Sequence, residues 1–243
     1  MENECIQWEK LAGEFAEKEK YYQAANQFRN AASCHLDKVL EMTRKAAEYY
    51  HMHAEASAEA DDHKSAARSY FEAANQYRQV SDFATALTLF ENAASEALDE
   101  GMTETAASSY LWAAFACHKL GNTDYFLTCA ENMANLYDKA AESVLEEGKA
   151  ERAVINLSLS AMGFATIQRI DDAKQRIEKA KRVIDKTSWP WLKTLLSFSD
   201  ALADGRLIEA EDQWKDFKEE ETIQEVMKAC HSIIEDRERR GQK

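Results

Sequence analysis

Two histidines separated by one residue, His51 and His53, are the side chains of this sequence whose spacing most suggests metal binding. A third histidine, His63, and several carboxylates lie nearby in the sequence. The surrounding composition is helical, and residues two positions apart on a helix point in different directions. Zinc needs ligands that converge on one point. The sequence therefore predicts that these histidines are structural and that the chain has no metal site.

The other histidines and the cysteines offer no nucleophile with a paired base. His35, His118 and His231 are isolated, and Cys117 directly precedes His118, which on a helix keeps the two side chains apart. The cysteines are odd in number, scattered and without a C-x-x-C pair, which predicts free buried thiols in a reducing compartment. They are Cys5, Cys34, Cys117, Cys129 and Cys230.

Composition excludes several classes of function. Glycines occur singly, so there is no phosphate-binding loop, and with 44 Asp and Glu among 243 residues neighbouring carboxylates carry no special meaning. We predict a protein that is not an enzyme, with no catalytic residue and no cofactor. The net charge of −14 argues against nucleic acid as a partner, because phosphate contacts need a basic surface.

A run of basic residues from 169 to 186 forms a positive patch in this acidic protein. The spacing of the apolar residues in the run directs the cations away from the core. The residues predicted to contact a partner protein are Arg169, Lys174, Lys181 and Arg182. The alternative is a solvated helix face with ion pairs four positions apart, such as Glu178 with Arg182.

An apolar stripe near the N-terminus is a second candidate surface. Such a stripe could enter a membrane interface, or it could pack against the second helix, which we favour. The candidate membrane contacts are Trp8, Phe15, Tyr21 and Tyr22.

A repeated frame predicts the helices that carry these side chains. An alanine is followed four positions later by a bulky apolar residue and, three positions after that, by one or two small residues. Most frames begin 20 residues after the previous one, and the spacing places each frame on one stripe of a helix. A stripe renewed in this way predicts an α-solenoid. The frames are Ala24/Phe28/Ala31-Ala32, Ala46/Tyr50/Ala54, Ala66/Tyr70/Ala73-Ala74, Ala86/Phe90/Ala93-Ala94, Ala106/Tyr110/Ala113-Ala114, Ala153/Leu157/Ser160-Ala161 and Ala173/Ile177/Ala180, with a degenerate Ala130/Ala134.

The predicted fold is all-α: a right-handed α-solenoid of about six antiparallel hairpins, similar to tetratricopeptide repeats, with a C-terminal helical bundle. The solenoid covers residues 1–188, the closing bundle covers 189–243, and together they form one domain. The segment 121–149 departs from the period and predicts a longer helix. The predicted helices lie near residues 4–18, 20–36, 39–59, 63–79, 82–99, 103–119, 123–146, 150–167, 170–186, 190–203, 206–220 and 222–238.

No apolar run is long enough to span a bilayer, and the acidic N-terminus lacks the features of a signal peptide. We therefore expect a cytoplasmic protein with at most peripheral membrane contact.

The hairpin unit carries a family resemblance. The frame repeats at about 40 residues per hairpin, longer than the roughly 34 of ordinary tetratricopeptide repeats. With the sequence His63-Lys-Ser-Ala-Ala-Arg-Ser-Tyr-Phe-Glu-Ala-Ala-Asn-Gln-Tyr77, the chain resembles the soluble NSF attachment proteins. Further stretches that resemble this family are 82–90, 106–115, 192–196, 214–217 and 222–234.

The resemblance implies a non-enzymatic adaptor, monomeric on its own, that lies along a SNARE-like coiled coil. It also implies recruitment of an NSF-like AAA+ ATPase that unwinds the coiled coil, with Glu235 and Asp236 as candidate contacts. The alternative is a general tetratricopeptide-like scaffold that binds a peptide or helix in its groove. An enzyme or a helical sensor domain from a larger protein is a third class.

Three features depart from the family pattern. The link 17–20 replaces a Phe-rich membrane-seeking loop, and Met102 and Ser108 stand where basic residues are common. The C-terminus lacks the family's late Leu and ends in basic residues.

Overall fold

The structure, a computed structural model, describes residues 2–34, 38–219 and 221–241. Within these ranges the chain forms twelve α-helices and no strand, so the predicted all-α fold is confirmed. His35 lies outside the described residues. The helices are α1 (Glu2–Ala16), α2 (Tyr21–Ala32), α3 (Val39–Glu59), α4 (His63–Gln79), α5 (Phe83–Asp99), α6 (Thr103–Lys119), α7 (Thr123–Glu146), α8 (Ala150–Thr166), α9 (Ile170–Lys181), α10 (Trp191–Ala203), α11 (Leu207–Asp216) and α12 (Glu221–Gly241).

One kind of turn produces the 20-residue period. Helices α4, α5 and α6 each have 17 residues, and three residues connect each of them to the next helix. The middle residue of the connection has a positive φ, 62° at Ser81 and 73° at Gly101. The backbone N–H of the next residue then donates to the carbonyl five residues before it. At Ser81, for example, Asp82 N–H donates to the Tyr77 carbonyl at 2.9 Å. This left-handed cap ends one helix and starts its neighbour within a few residues.

The chain divides into two compact units, Met1–Asn122 and Thr123–Lys243. In the first unit, consecutive helices from α1 to α6 pack against one another in sequence order, as a solenoid requires. The alanines of the frame are buried there, and the rings of Tyr50 and Phe90 are fully buried. In α6 the expected ring, Tyr110, is half-buried, whereas Trp112 is buried and stacks on Phe90 at 6.4 Å between centroids. That the two units belong to one domain stays a prediction.

The second unit is organised around α8, which packs against α7, α9, α10 and α12. Helix α7 has 24 residues, which confirms the longer helix predicted in this region. The hydroxyl of Ser160 donates to the Ala134 carbonyl of α7 at 2.8 Å. A Cβ at Gly163 would lie 2.9 Å from the Cβ of Ala134 and would overlap Met133 Cε. Small residues thus allow α7 and α8 to approach closely.

The prediction that all five cysteines are free thiols is wrong. Cys5 of α1 and Cys34, two residues after α2, form a disulfide with a Cα–Cα distance of 5.8 Å. Their separation of 29 positions gives no signal in the sequence, but the antiparallel hairpin of α1 and α2 brings them together. The thiols of Cys117, Cys129 and Cys230 are buried and are not part of a disulfide.

Candidate interaction surfaces

Helix α9 positions the basic patch, and acidic residues of α7 neutralise part of it. Arg176 Nη2 lies 2.6 Å from Asp138 Oδ2, and the two side chains are 13% and 16% exposed. Lys179 Nζ lies 3.7 Å from the other oxygen of Asp138. Arg169 Nη1 lies 2.7 Å from Glu131 Oε1. These cations therefore tie α9 to α7.

Acidic residues in and after α10 neutralise further cations. Lys174 Nζ lies 2.8 Å from Asp204 Oδ1, and this hydrogen bond raises the pKa of Lys174 and lowers the pKa of Asp204. Lys181 Nζ lies 3.5 Å from Asp200 Oδ1 and 3.0 Å from Glu178 Oε1. The hydrogen bond with Glu178 is the main cause that raises the pKa of Lys181. Both lysines thus link α9 to the α10 region.

Arg182 and Lys186 are exposed cations at the end of the patch. Within the part of the chain that the structure describes, neither side chain makes a hydrogen bond or ion pair. Glu178, which the alternative interpretation pairs with Arg182, contacts Lys181 instead. The predicted helix 170–186 ends at Lys181, and a 3-10 turn follows at Ile184–Lys186. Of the predicted partner contacts on this helix, Arg182 has the side chain most available to a partner.

A polar network that the sequence did not reveal crosses α2, α3 and α4. Asn26 Oδ1 accepts hydrogen bonds from the Tyr50 hydroxyl at 2.8 Å and from Arg29 Nη2 at 3.0 Å. Arg29 Nη1 also donates to Glu72 Oε2 at 3.2 Å. Burial raises the pKa of Tyr50, so its phenol stays a neutral donor. The network fixes the guanidinium of Arg29 at the surface.

Aromatic contacts extend this network across the same helices. The ring centroids of Tyr22 and His53 are 5.2 Å apart, and the guanidinium of Arg68 lies 5.4 Å from the centroid of Tyr22. His53 Nδ1 lies 2.8 Å from Ser69 Oγ, and burial lowers the pKa of His53, so the imidazole is neutral at pH 7. Residues 22, 26 and 29 occupy one stripe of α2. The network's surface, here called the α2–α4 face, comprises Tyr22, Asn26, Arg29, His53, Arg68 and Glu72.

The aromatic residues predicted to touch a membrane are engaged in packing within the first unit. Trp8, Phe15, Tyr21 and Tyr22 are all half-buried. The rings of Tyr21 and Tyr49 stack at 6.4 Å. No helix in the described ranges is long and apolar enough to cross a membrane. Membrane contact by these aromatic residues stays a prediction.

The C-terminal helix is anchored near the predicted ATPase contacts. Arg237 donates to the Thr166 carbonyl of α8 at 2.7 Å. Glu235 pairs with Arg239 one turn later, and Asp236 is half-buried. Both predicted acidic residues therefore lie in helix α12 rather than in an extended tail.

An open groove of about 700 Å³ lies where α11 begins, beside the last turns of α12. Ile208 is 81% exposed there. The residues that line the groove are Gly205, Arg206, Leu207, Ile208, Glu209, Asp212, Gln213 and Glu238. An exposed isoleucine with carboxylates around it can bind an apolar side chain carried on a basic surface.

The start of α4 and the end of α5 bring together His63, Glu96 and Asp99, whose donor atoms lie within 4.8 Å of one another. His63 Nδ1 lies 2.8 Å from Glu96 Oε2, and this hydrogen bond raises the pKa of His63. It links the two helices of a hairpin. The absence of a metal site stays a prediction.

Comparison with known proteins bears on the region from α1 to α9. A family model described as "Soluble NSF attachment protein, SNAP" matches residues 2–184. The comparison with curated proteins gives no match. The matched region contains both the α2–α4 face and the end of α9, whereas the groove at Ile208 lies beyond it.

Proposed function

Because the chain belongs to the soluble NSF attachment protein family, a family of non-enzymatic adaptors, we propose that it binds a SNARE-like coiled coil and recruits an NSF-like AAA+ ATPase. The family match over residues 2–184 is the observation that carries this proposal. The adaptor is a cytoplasmic monomer, at most peripherally attached to membranes, that supplies surfaces rather than chemistry.

The α2–α4 face supports coiled-coil binding in the first unit. Stripes from three neighbouring helices contribute to it, so a rod-shaped partner meets a continuous row of side chains. Arg29 and Arg68 present guanidinium groups that can form paired hydrogen bonds with carboxylates. Hydrogen bonds and the ring of Tyr22 orient these groups before a partner arrives. Acidic residues on the outer surface of a coiled coil are the complementary ligand.

The end of α9 supports a second contact with the same partner, in the second unit. Arg182 and Lys186 are exposed cations there. Lys174 and Lys181 are poorer test positions, because reversing their charge would place carboxylates next to Asp204 and Asp200. Arg182→Glu tests the patch without breaking an interhelical ion pair.

The groove at Ile208 supports recruitment of the ATPase. Glu238 lines it, and Glu235 lies one turn earlier on α12. The acidic residues that the family resemblance indicates thus belong to the helix that borders the groove. Because Arg237 anchors that helix to α8, deleting residues 235–243 would also remove a structural contact. A point substitution, Ile208→Asp, is the cleaner test.

Coiled-coil binding is tested with the purified full-length chain and an assembled SNARE bundle from the same source. We expect capture that weakens with salt, because exposed charges are screened over about 10 Å at 0.1 M salt. Arg68→Glu and Arg182→Glu should each weaken capture several-fold. Lys193→Glu, the same charge change at an exposed position of α10, is the matched control. No capture by the unmodified protein would refute the proposal.

ATPase recruitment is tested separately, by the rate of ATP hydrolysis and bundle disassembly after the ATPase is added. Ile208→Asp should spare bundle capture and lower stimulation of the ATPase. Leu120→Asp is the control: Leu120 is also an exposed aliphatic side chain, at 47%, and lies far from Ile208 in the sequence. This variant should leave stimulation of the ATPase unchanged. Full stimulation by the Ile208 variant would contradict the assignment of the groove.

A further inference from the structure

The disulfide between Cys5 and Cys34 lies at one end of the α1–α2 hairpin, where three helices meet. Cys5 is 2% exposed, whereas Cys34, in the turn after α2, is half-buried. Beside it, Lys38 Nζ lies 3.3 Å from Glu9 Oε2, which joins α1 to the start of α3. A covalent bond and an ion pair thus hold the N-terminal half of α1 in place.

Apart from these bonds, few side chains of α1 are fully buried. Among the described side chains of this 15-residue helix, Cys5 and Ala12 are the buried ones. Trp8 is half-buried, and Ile6 is 57% exposed. By contrast, α5 buries six of its 17 residues. Because apolar burial is the main source of helix docking, α1 depends on the disulfide more than a central helix would.

We propose that Cys5 and Cys34 form a reversible redox site that controls the docking of the N-terminal half of α1. In the oxidised state the bond fixes α1 on α2. In the reduced state residues 2–10 detach and expose Trp8, while α2 to α6 keep their packing. Helix α3 packs on both α2 and α4, and these contacts do not involve α1, so α2 to α6 keep them when α1 detaches.

The chemistry is thiol–disulfide exchange with a low-molecular-weight thiol such as glutathione. A glutathione thiolate attacks Sγ of Cys34, the more exposed sulfur, and the sulfur–sulfur bond breaks. Cys5 leaves as a thiolate and takes up a proton. A second glutathione thiolate attacks the sulfur of the bound glutathione, so Cys34 leaves and is protonated. Two electrons pass to the protein, and one molecule of oxidised glutathione is formed; oxidation by that molecule is the reverse.

The first measurement counts thiols in the full-length protein equilibrated in glutathione buffers from oxidising to reducing. After denaturation and alkylation, mass spectrometry should find three alkylated cysteines in the oxidised state and all five of the chain in the reduced state. The change should be reversible, and the protein should remain monomeric. Five alkylated cysteines in every buffer, or a disulfide between two chains, would overturn the proposal.

The second measurement tests whether the disulfide controls the docking of α1 or forms without changing it. Hydrogen exchange of residues 2–12 should be faster in the reduced protein by roughly tenfold or more, with α3 to α6 unchanged. Cys34→Ser should exchange at the reduced rate in both buffers. Glu9→Gln, which removes the ion pair and keeps the disulfide, should retain the difference between the two states. Equal exchange of residues 2–12 in oxidised and reduced protein would refute control of α1 by the disulfide.

Discussion

The two units of the molecule use their helices in different ways. In the first unit α5 buries one stripe: six of 17 residues, all alanine, leucine or phenylalanine. In the second unit α8 buries thirteen of 17, including Asn156, Ser158 and Thr166. A helix with one apolar stripe needs neighbours on one side, whereas a helix buried all round needs them on every side. The first arrangement can be continued by further repeats, and the second closes on itself.

Polar side chains follow the same division. In the first unit, hydrogen bonds such as that from Tyr50 to Asn26 lie on one face of the stacked helices. In the second unit, cations of α9 reach acids on the neighbouring α7 and near α10, and the Arg176–Asp138 pair is mostly buried. Breaking one partner of a buried pair leaves an uncompensated charge. The comparison suggests that the second unit depends on charge pairing for a contact that the first unit makes with alanine and ring stripes.

The largest expected effect tests the stripe in the first unit. Tyr70→Ala should lower the free energy of unfolding by about 3–5 kcal/mol, because it removes a large ring that is 8% exposed. Chemical denaturation with hydrogen exchange should place the loss in α3 to α5. Tyr125→Ala, at a tyrosine of the second unit that is 39% exposed, is the control and should cost below about 1 kcal/mol. Equal losses would mean that the frame ring is not a core residue.

A smaller effect tests the close approach of α7 and α8. Gly163→Ala should destabilise the protein by about 1–3 kcal/mol, because the added Cβ meets Met133 and Ala134. Gly13→Ala is the matched control, since outside its own stretch of α1 no atom lies within 4 Å of a Cβ at that position. There the change should stabilise by about 0.5–1 kcal/mol, because alanine is the better helix former. Thermal unfolding of both variants measures the contrast.

The repeated frame accounts for how much of the fold the sequence could predict. Frames such as Ala66/Tyr70 and single glycines such as Gly101 specify where helices and turns lie, because stripe and turn are local properties. The contacts at the surface are not local: Arg169 meets Glu131 across 38 positions, and Cys5 meets Cys34 across 29. Nothing in the spacing of a single helix shows which acid of another helix it will face.

The candidate surfaces show the same limit. The run of cations around α9 is visible in the sequence, but their ion pairs depend on acids of α7 and of the α10 region. Of the four predicted contacts, these pairs leave Arg182 most available to a partner. The α2–α4 face was missed altogether because Asn26, Tyr50 and Glu72 come from three different helices. A search for polar residues close in sequence to frame residues, such as Asn26 two positions after Ala24, could have indicated it.

A modest effect tests whether the two units connect their helices with the same kind of turn. Gln168, before α9 in the second unit, has a φ of 65°, in the left-handed region where Gly101 of the first unit lies at 73°. Gln168→Gly should therefore stabilise the protein by about 1 kcal/mol, and Gly101→Ala in the first unit should destabilise it by a similar amount. Equilibrium unfolding measures both changes. If Gln168→Gly has no effect, the turn of the second unit differs from its counterpart in the first.

The smallest effect concerns the hairpin of α4 and α5, where a histidine performs the linking role that arginine performs at α9. The hydrogen bond with Glu96 raises the pKa of His63 above its ordinary value of 6.5, with Asp99 and Asp61 adding to the effect. A raised pKa in the folded state means that the contribution to stability is complete below about pH 6.5 and is lost as the pH rises through the folded value.

His63→Gln should therefore cost stability at pH 5.5 and cost less at pH 8.5. The comparison must be made as the difference between the unmodified protein and this variant, because burial lowers the pKa of His53 and gives the opposite trend with pH. The midpoints of urea unfolding, measured from pH 5.5 to 8.5, give this difference in stability. When Glu96→Gln is present in both proteins, most of its dependence on pH should disappear. A difference that stays constant with pH would show that His63 links the two helices as a neutral group.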